Sequence, residues 1–440
     1  MDALTRDGRP IAPPARIDRD GSRQRAYAAR ADRSVEALCA FAGLGLERAR
    51  SLLGTRLRRL VRRAATSPRY REAFAAAHLG PYDVRTLDDL RHMPLLARDT
   101  LAERLSDLAV YESPSHATTC VVVKSSGTTG QPAPVVKDGY DCVHMWAVLR
   151  FFARRLAIEL PPRPSIVLLC SLPGGLEYEA PVPLVRDGRL ARISLARPEA
   201  RARLEAAGPH VLFSDPAGMH WIAGEAPGIA PRMLLTSAQH FSVHEREAVA
   251  SVCSAPVVNY YATTETGPIA WECLAAPGTF HALAPDVWVE DAGGELVVTR
   301  LRRSVLPLLR YRTGDRGQVA WTRCPCGFSG QSILHFRGRS ACAFVNPAGE
   351  AVDAWQLAFL WKHLPLRDVT LTQERAGAFH LRLGDRVDED SLARLLDRLR
   401  RGLGKLGWDP GRVAIAVAFE AARPGAKPDA FRSEVSGAPG

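Results

Sequence analysis

The chain has 440 residues, 46% hydrophobic and 24% charged, which fits two or three globular domains and excludes a disordered or fibrous chain. No apolar run approaches the length of a membrane span, so no membrane partner is expected. The net charge of +11 comes from 53 arginines against five lysines, spread as short clusters with no nucleic-acid-binding signature. It points to solvated helix faces with some attraction for phosphate-bearing ligands, not to a nucleic-acid partner.

Residues 1–25 are rich in Arg, Asp and Pro and lack the apolar stretch of a secretory signal, predicting a disordered leader and a cytoplasmic enzyme. From Ser34 to His78 the pattern predicts amphipathic helices broken near Gly43 and Ser67. One of them carries Arg56, Arg58, Arg59, Arg62 and Arg63 on a basic outer face. Thr86-Leu87-Asp88-Asp89-Leu90 reads as a helix start with a threonine cap.

Short β-branched runs then alternate with helical stretches. Strands are predicted at Val121–Lys124, Ser165–Cys170, Ala191–Leu195, Val211–Ser214, Arg232–Leu235 and Val257–Tyr261, with helices at Asp138–Leu156, Pro198–Ala207 and Val243–Cys253. This is an α/β pattern: a large N-terminal domain of parallel α/β layers over residues 26–338. Glu295–Arg300 and Gln318–Thr322 lack intervening helices and predict an antiparallel β subdomain. Residues 339–440 predict a small α+β C-terminal domain, helical at Asp353–His363 and Asp388–Leu406, with strands at Asp368–Gln373, Ala378–Leu383 and Val413–Phe419.

Three stretches carry chemistry. Val121-Val122-Val123-Lys124 runs into Ser125-Ser126-Gly127-Thr128-Thr129-Gly130-Gln131-Pro132, a strand leading into a loop of hydroxyls and exposed N–H groups suited to an anion, most naturally a phosphate. A plain surface turn is the alternative, and the spacing is not that of the kinase or GTPase P-loop. Tyr260-Tyr261-Ala262-Thr263-Thr264-Glu265 offers an aromatic stacking face, hydroxyls and a metal-binding carboxylate. Tyr311-Arg312-Thr313-Gly314-Asp315 ends in an acid suited to a ribose diol. Together they make a candidate ATP site; singly, each is also an ordinary strand edge or turn.

In order and spacing the three resemble the motifs of the adenylate-forming (AMP-binding) superfamily, and the Ser67-Pro68-Arg69-Tyr70 lead-in and Cys324-Pro325-Cys326-Gly327 are most similar to its phenylacetate–CoA ligase branch. The resemblance covers roughly residues 50 to 345. It implies that Ser125, Ser126, Gly127, Thr128, Thr129 and Gly130 wrap the β- and γ-phosphates of ATP. Tyr261 would stack on adenine, Thr264 would lie near the α-phosphate, Glu265 would hold Mg2+ and Asp315 would bind the ribose. Ser237, Ala238, Gln239, Tyr260, Ala262, Thr263, Arg337 and Arg339 are implied to complete the nucleotide-binding positions. Lys427, in Pro424-Gly425-Ala426-Lys427-Pro428, matches the family's catalytic lysine, and the resemblance implies that the C-terminal domain over residues 339–440 is mobile. The implied reaction joins a small, aromatic carboxylic acid to AMP and passes the acyl group to coenzyme A. An amine, a hydroxyl or a carrier-protein thiol is the alternative acceptor, and a catalytically silent nucleotide- or zinc-binding interaction protein is the rival of another class. Oligomeric state is not legible.

Four departures stand out. Ala262 replaces the family's glycine, and Ala133-Pro134 replaces the basic residue after the loop. Ser237-Ala238-Gln239-His240 replaces Gly-Ala-Glu-Pro. Ala341-Cys342 replaces two hinge aspartates, which bears on the thioester-forming step. Cys273, His281, Cys324 and Cys326 offer three thiolates and one imidazole, suited to a closed structural Zn2+ site as in some members of the branch; unliganded turn cysteines are the alternative.

Overall fold

The computed structural model of the protein describes residues 22–117, 119–124, 134–171, 177–182, 184–185, 187–237, 241, 243–339, 343–354, 357, 369–384, 386–420 and 431–435. These fall into two compact units, one ending at Gly338 and the other running from Arg339. Among the described residues no helix is long and apolar enough to cross a membrane.

The first unit opens with helices at Ser22–Phe41, Leu46–Ala64 and Pro68–Ala76. The first begins at Ser22, within the stretch expected as a leader. In Leu46–Ala64 the buried Leu53, Leu57, Leu60, Val61 and Ala64 recur at helical spacing and point inward. Its basic face is only partly solvated, because Arg56 Nη1 pairs with Asp286 (2.9 Å) and Arg63 Nη2 donates to the Val110 carbonyl (2.8 Å). Ser67 caps the third helix by accepting the Tyr70 N–H. The predicted threonine cap is replaced: the N–H groups of Arg85 and Thr86 both donate to Asp89, ahead of a single 3-10 turn.

Twelve strands form one sheet. In order across it they are Val287–Ala292, Glu295–Arg300, Tyr311–Arg323, Ser329–Arg339, Phe280–Ala282, Gly267–Glu272, Val257–Thr263, Met233–Thr236, Val211–Ser214, Ser165–Cys170, Arg189–Ser194 and Tyr178–Pro181. The run from Arg189–Ser194 to Val257–Thr263 is parallel. Its inner strands are buried on both faces and read as unbroken apolar runs. Val257–Thr263 then pairs antiparallel with Gly267–Glu272, Tyr261 lying opposite Ala270. The antiparallel region is therefore continuous with the parallel layers. The strand at the switch is the one that leads to Glu265, at the carboxyl end where ligands gather in open α/β sheets.

In the second unit, Ala414–Phe419, Ala378–Leu383, Thr370–Arg375 and Phe431–Ser433 form a mixed sheet, and Ala343–Val345 pairs with Ala351–Asp353. Helix Glu389–Lys405, capped by Asp388, buries Leu395, Leu399 and Leu403 in a core with Phe344, Phe379, Leu381 and Leu383. The helix expected from Asp353 does not begin there: Asp353 ends a strand, and residues 355–356 and 358–368 lie outside the described residues.

Candidate active site and metal centre

Strand Val257–Thr263 places Tyr260 and Tyr261 on opposite sides of the sheet. Tyr260 packs against Phe152 and Phe213 in the aromatic core, with ring centroids 6.0 and 6.1 Å away, and burial pushes its phenol pKa up. Its side chain belongs to the same buried cluster as that of Tyr261. Tyr261 donates its hydroxyl to Asp315 Oδ2 at 2.6 Å, and its ring packs on Phe336 at 4.5 Å. Asp315 is buried, its N–H donating to Thr313 Oγ1 beside Gly314, whose positive φ (+77°) falls where strand Tyr311–Arg323 shifts register against Glu295–Arg300. Two residues proposed separately for base and ribose thus form one hydrogen-bonded pair.

After the strand the chain turns tightly. Thr266 N–H donates to Thr263 Oγ1 (3.1 Å), and the two hydroxyls lie 2.9 Å apart. Thr263 is buried within this turn, whereas Ala262 and Thr264 keep partial exposure. Glu265 is 1% exposed, and among the described residues neither carboxylate oxygen has a hydrogen-bond partner. Arg98 Nε lies 3.7 Å from Oε1. An unsatisfied buried carboxylate is costly, and a divalent cation is one partner that satisfies it. The residues therefore fit a Mg2+ ligand at this position.

Ser237 is buried just past strand Met233–Thr236. Ala238, Gln239, the loop Ser125–Gly130 and Lys427 lie outside the described residues, and for Arg337 and Arg339 only the strand backbone is described. Sequence reading missed Arg98, Arg300, Arg302 and Asp141. Arginine and aspartate ordinarily mark surfaces, so burial of these charges left no signal in composition.

The second site is a cluster. Cys273 follows strand Gly267–Glu272, His281 sits in Phe280–Ala282, and Cys324 and Cys326 lie on the turn between Tyr311–Arg323 and Ser329–Arg339. One ligand atom from each of the four lies within 4.8 Å of the others. Zn–S and Zn–N bonds of about 2.3 and 2.0 Å set tetrahedral ligand atoms roughly 3.5–3.8 Å apart. Cys273 Sγ to Cys324 Sγ and Cys326 Sγ to His281 Nε2 are each 3.5 Å. His281 Nδ1 is engaged with the Ser332 hydroxyl (2.9 Å), which leaves Nε2 facing the thiols, and burial lowers the imidazole pKa to about 4. Beside Cys273, Glu272 accepts from Arg246, Asn259 and the Gly278 N–H, fixing that end of the knuckle.

No family model matches the chain. It is 24% identical over 309 residues to a phenylacetate–coenzyme A ligase of Aromatoleum evansii, and 27% identical over 315 residues to one of Thermus thermophilus. These matches cover 60% and 64% of this chain, and 65% and 68% of the relatives, so the chain spans about two thirds of the length of the curated relatives it matches. Among solved structures it resembles 2-hydroxyisobutyryl-CoA ligase in the postadenylation state, with a TM-score of 0.56, 14% identity and 89% of each chain covered. The same ligase in complex with 2-HIB-AMP and CoA in the thioesterification state gives a TM-score of 0.54 at 15% identity, covering 89% of this chain and 91% of that one. At these identities the structural likeness establishes the fold.

Proposed function

We propose that this chain, a homologue of phenylacetate–coenzyme A ligases with the fold of adenylate-forming acyl-CoA ligases, is a cytoplasmic enzyme that activates a small, aromatic carboxylic acid with ATP and passes the acyl group to coenzyme A. In the first step a carboxylate oxygen of the acid attacks the α-phosphorus of ATP. The bond from that phosphorus to the bridging oxygen breaks, giving acyl-AMP and pyrophosphate. In the second, the thiolate of coenzyme A attacks the acyl carbon and AMP leaves. The observation that carries this reading is Glu265, a buried carboxylate without hydrogen bonds, placed four residues after the Tyr261 that binds Asp315. Bound at Glu265, Mg2+ would neutralise charge developing on the phosphates.

The protein's own part is positioning. Asp315, held by Tyr261, takes the ribose hydroxyls, Thr264 approaches the α-phosphate, and the Ser125–Gly130 loop takes the β- and γ-phosphates. Lys427 reaches the reacting carboxylate from a mobile C-terminal domain. Incubation with ATP, Mg2+, coenzyme A and a panel of aromatic and short aliphatic acids should give one acyl-CoA per AMP with aromatic acids preferred. AMP and pyrophosphate without acyl-CoA would contradict the assigned acceptor. A second reading follows from Ala341-Cys342, where the family has hinge aspartates: transfer to an amine, a hydroxyl or a carrier-protein thiol. Acyl-AMP accumulating with coenzyme A present, but consumed by such an acceptor, would favour it.

Cys273, His281, Cys324 and Cys326 are proposed to hold one structural Zn2+ that ties three strand ends together. Protein prepared without added zinc should contain about one zinc per chain. Cys324→Ser and Cys326→Ser should release it and lower the unfolding midpoint by roughly 5–10 °C, since a few kcal/mol is at stake. Soluble, active protein free of zinc would end the proposal.

A further inference from the structure

We propose that Arg300 and Arg302 are positioning residues for Glu265: two buried guanidiniums grip the carbonyls of Glu265 and Thr266 and so fix the turn that aims the carboxylate. The inference rests on the reading of Glu265 as the ligand that holds a metal against the phosphates of ATP. Arg300 ends strand Glu295–Arg300 and is fully buried. Its Nη1 donates to the Glu265 carbonyl at 3.0 Å, and its Nη2 donates to Ser304 Oγ (2.9 Å) and to the Leu306 carbonyl. Arg302 donates through Nη2 to the Thr266 carbonyl at 3.1 Å and to Asp141 Oδ1 at 2.7 Å. Asp141 also lies 3.7 Å from Arg300 Nη1, so a single carboxylate serves both cations. Burial pushes the Asp141 carboxyl up, but Arg302, Lys137 and Arg300 together hold it well below the usual carboxylate range.

Stability alone is a poor reason for this arrangement. Burying a charge is costly, and a well-packed apolar pair often does as well at such a place. Here Nε of both arginines and Nη1 of Arg302 are buried without a hydrogen bond. Each arginine makes one bond to this turn, Arg300 to the Glu265 carbonyl and Arg302 to the Thr266 carbonyl. Glu265 is the residue whose carboxylate makes no hydrogen bond among the described residues and meets only Arg98, at 3.7 Å. Gly267 belongs to the same device. Its φ is +76°, and a Cβ there would stand 3.3 Å from Arg302 Nη2, so a glycine lets the guanidinium approach the turn closely. A carboxylate that meets an incoming metal can be oriented through its own oxygens or through the backbone that carries it. Holding its backbone from behind leaves both oxygens available.

Arg302→Lys tests this, because a lysine keeps a positive charge near Asp141 but lacks the rigid planar group that holds one nitrogen, Nη2, between Asp141 and the Thr266 carbonyl. Binding of Mn2+·ATP to the full-length protein, read from the Mn2+ paramagnetic resonance signal, should weaken about tenfold. Binding of ATP in the presence of a chelator should stay within about twofold. In acid-dependent ATP–pyrophosphate exchange the half-saturating Mg2+ should rise by a similar factor, with activity recovering as Mg2+ is raised. Gly267→Ala, which crowds Arg302 without altering a charge, should give the same pattern at about threefold and serves if Arg302→Lys does not fold. Folded variants with unchanged Mn2+·ATP binding, or with ATP binding in chelator weakened equally, would overturn the proposal. If Glu265→Gln itself leaves Mn2+·ATP binding unchanged, the reading of Glu265 fails instead, and this inference falls with it.

Discussion

Glu265→Gln is expected to lower acid-dependent ATP–pyrophosphate exchange by roughly 100- to 1000-fold while the protein stays folded, the scale of losing one electrostatic contact in a water-excluded site. The substitution is nearly isosteric at a residue that is 1% exposed. Both carboxylate oxygens lack hydrogen-bond partners among the described residues, so no hydrogen bond to any of these is lost with the charge. The charge itself sits 3.7 Å from Arg98, and removing it leaves that guanidinium facing a neutral amide. A buried carboxylate retained only for stability would behave differently, because neutralising it would relieve desolvation at least in part. Stability and activity should therefore separate: an unfolding midpoint within a few degrees of the parent, and exchange nearly abolished. Exchange at the parent rate would remove Glu265 from the metal site.

Lys427→Ala is expected to reduce formation of acyl-AMP from acid and ATP by about 100-fold or more. Chemically supplied acyl-AMP should still be passed to the acceptor, since in the proposed mechanism Lys427 serves only the adenylation step. Lys427 lies outside the described residues, and the expectation rests on chemistry and on the family resemblance. A chain with 53 arginines and five lysines keeps a lysine between glycine and proline residues near its end. A compact ammonium on a flexible stem suits a charge that must approach a carboxylate and a phosphate together, where a planar guanidinium is too broad. Normal adenylation by the alanine variant would assign Lys427 to an ordinary tail and send the search to another cation.

How far the fold was legible depended on burial. Ser165–Cys170 and Val211–Ser214 were predicted to the residue, because strands covered on both faces become uninterrupted apolar runs bounded by turns. Gly267–Glu272 and Ser329–Arg339 were missed. The first begins at a glycine and carries a proline, and the second mixes polar and charged residues with its apolar ones, so neither has the period of a simple strand. Motif residues were legible one by one, but their contacts were not. Tyr261 and Asp315 are 54 positions apart, and only the sheet order brings phenol and carboxylate to 2.6 Å.

Strand alternation turns Tyr260 toward Phe152 and Phe213 and Tyr261 toward Phe336 and Asp315, a difference that the adjoining letters do not show. For the metal cluster the reverse held. Cys324 and Cys326 lie on a turn and His281 within a strand, and the antiparallel strands bring the four candidate ligand atoms within 4.8 Å of one another. Arg300 and Arg302 were invisible, because in an arginine-rich chain nothing in their neighbourhood distinguishes a buried guanidinium from a solvated one.

Acid-dependent exchange of labelled pyrophosphate into ATP, run over a panel of carboxylic acids with and without Mg2+, tests adenylate formation most directly. It requires only the first half-reaction and is indifferent to the acceptor. The expected result is label in ATP that appears only when a particular class of small acid and Mg2+ are both present, and that is lost in Glu265→Gln. Absence of exchange with every acid, in folded protein that binds ATP, would contradict adenylate formation and leave a nucleotide-binding protein without this chemistry.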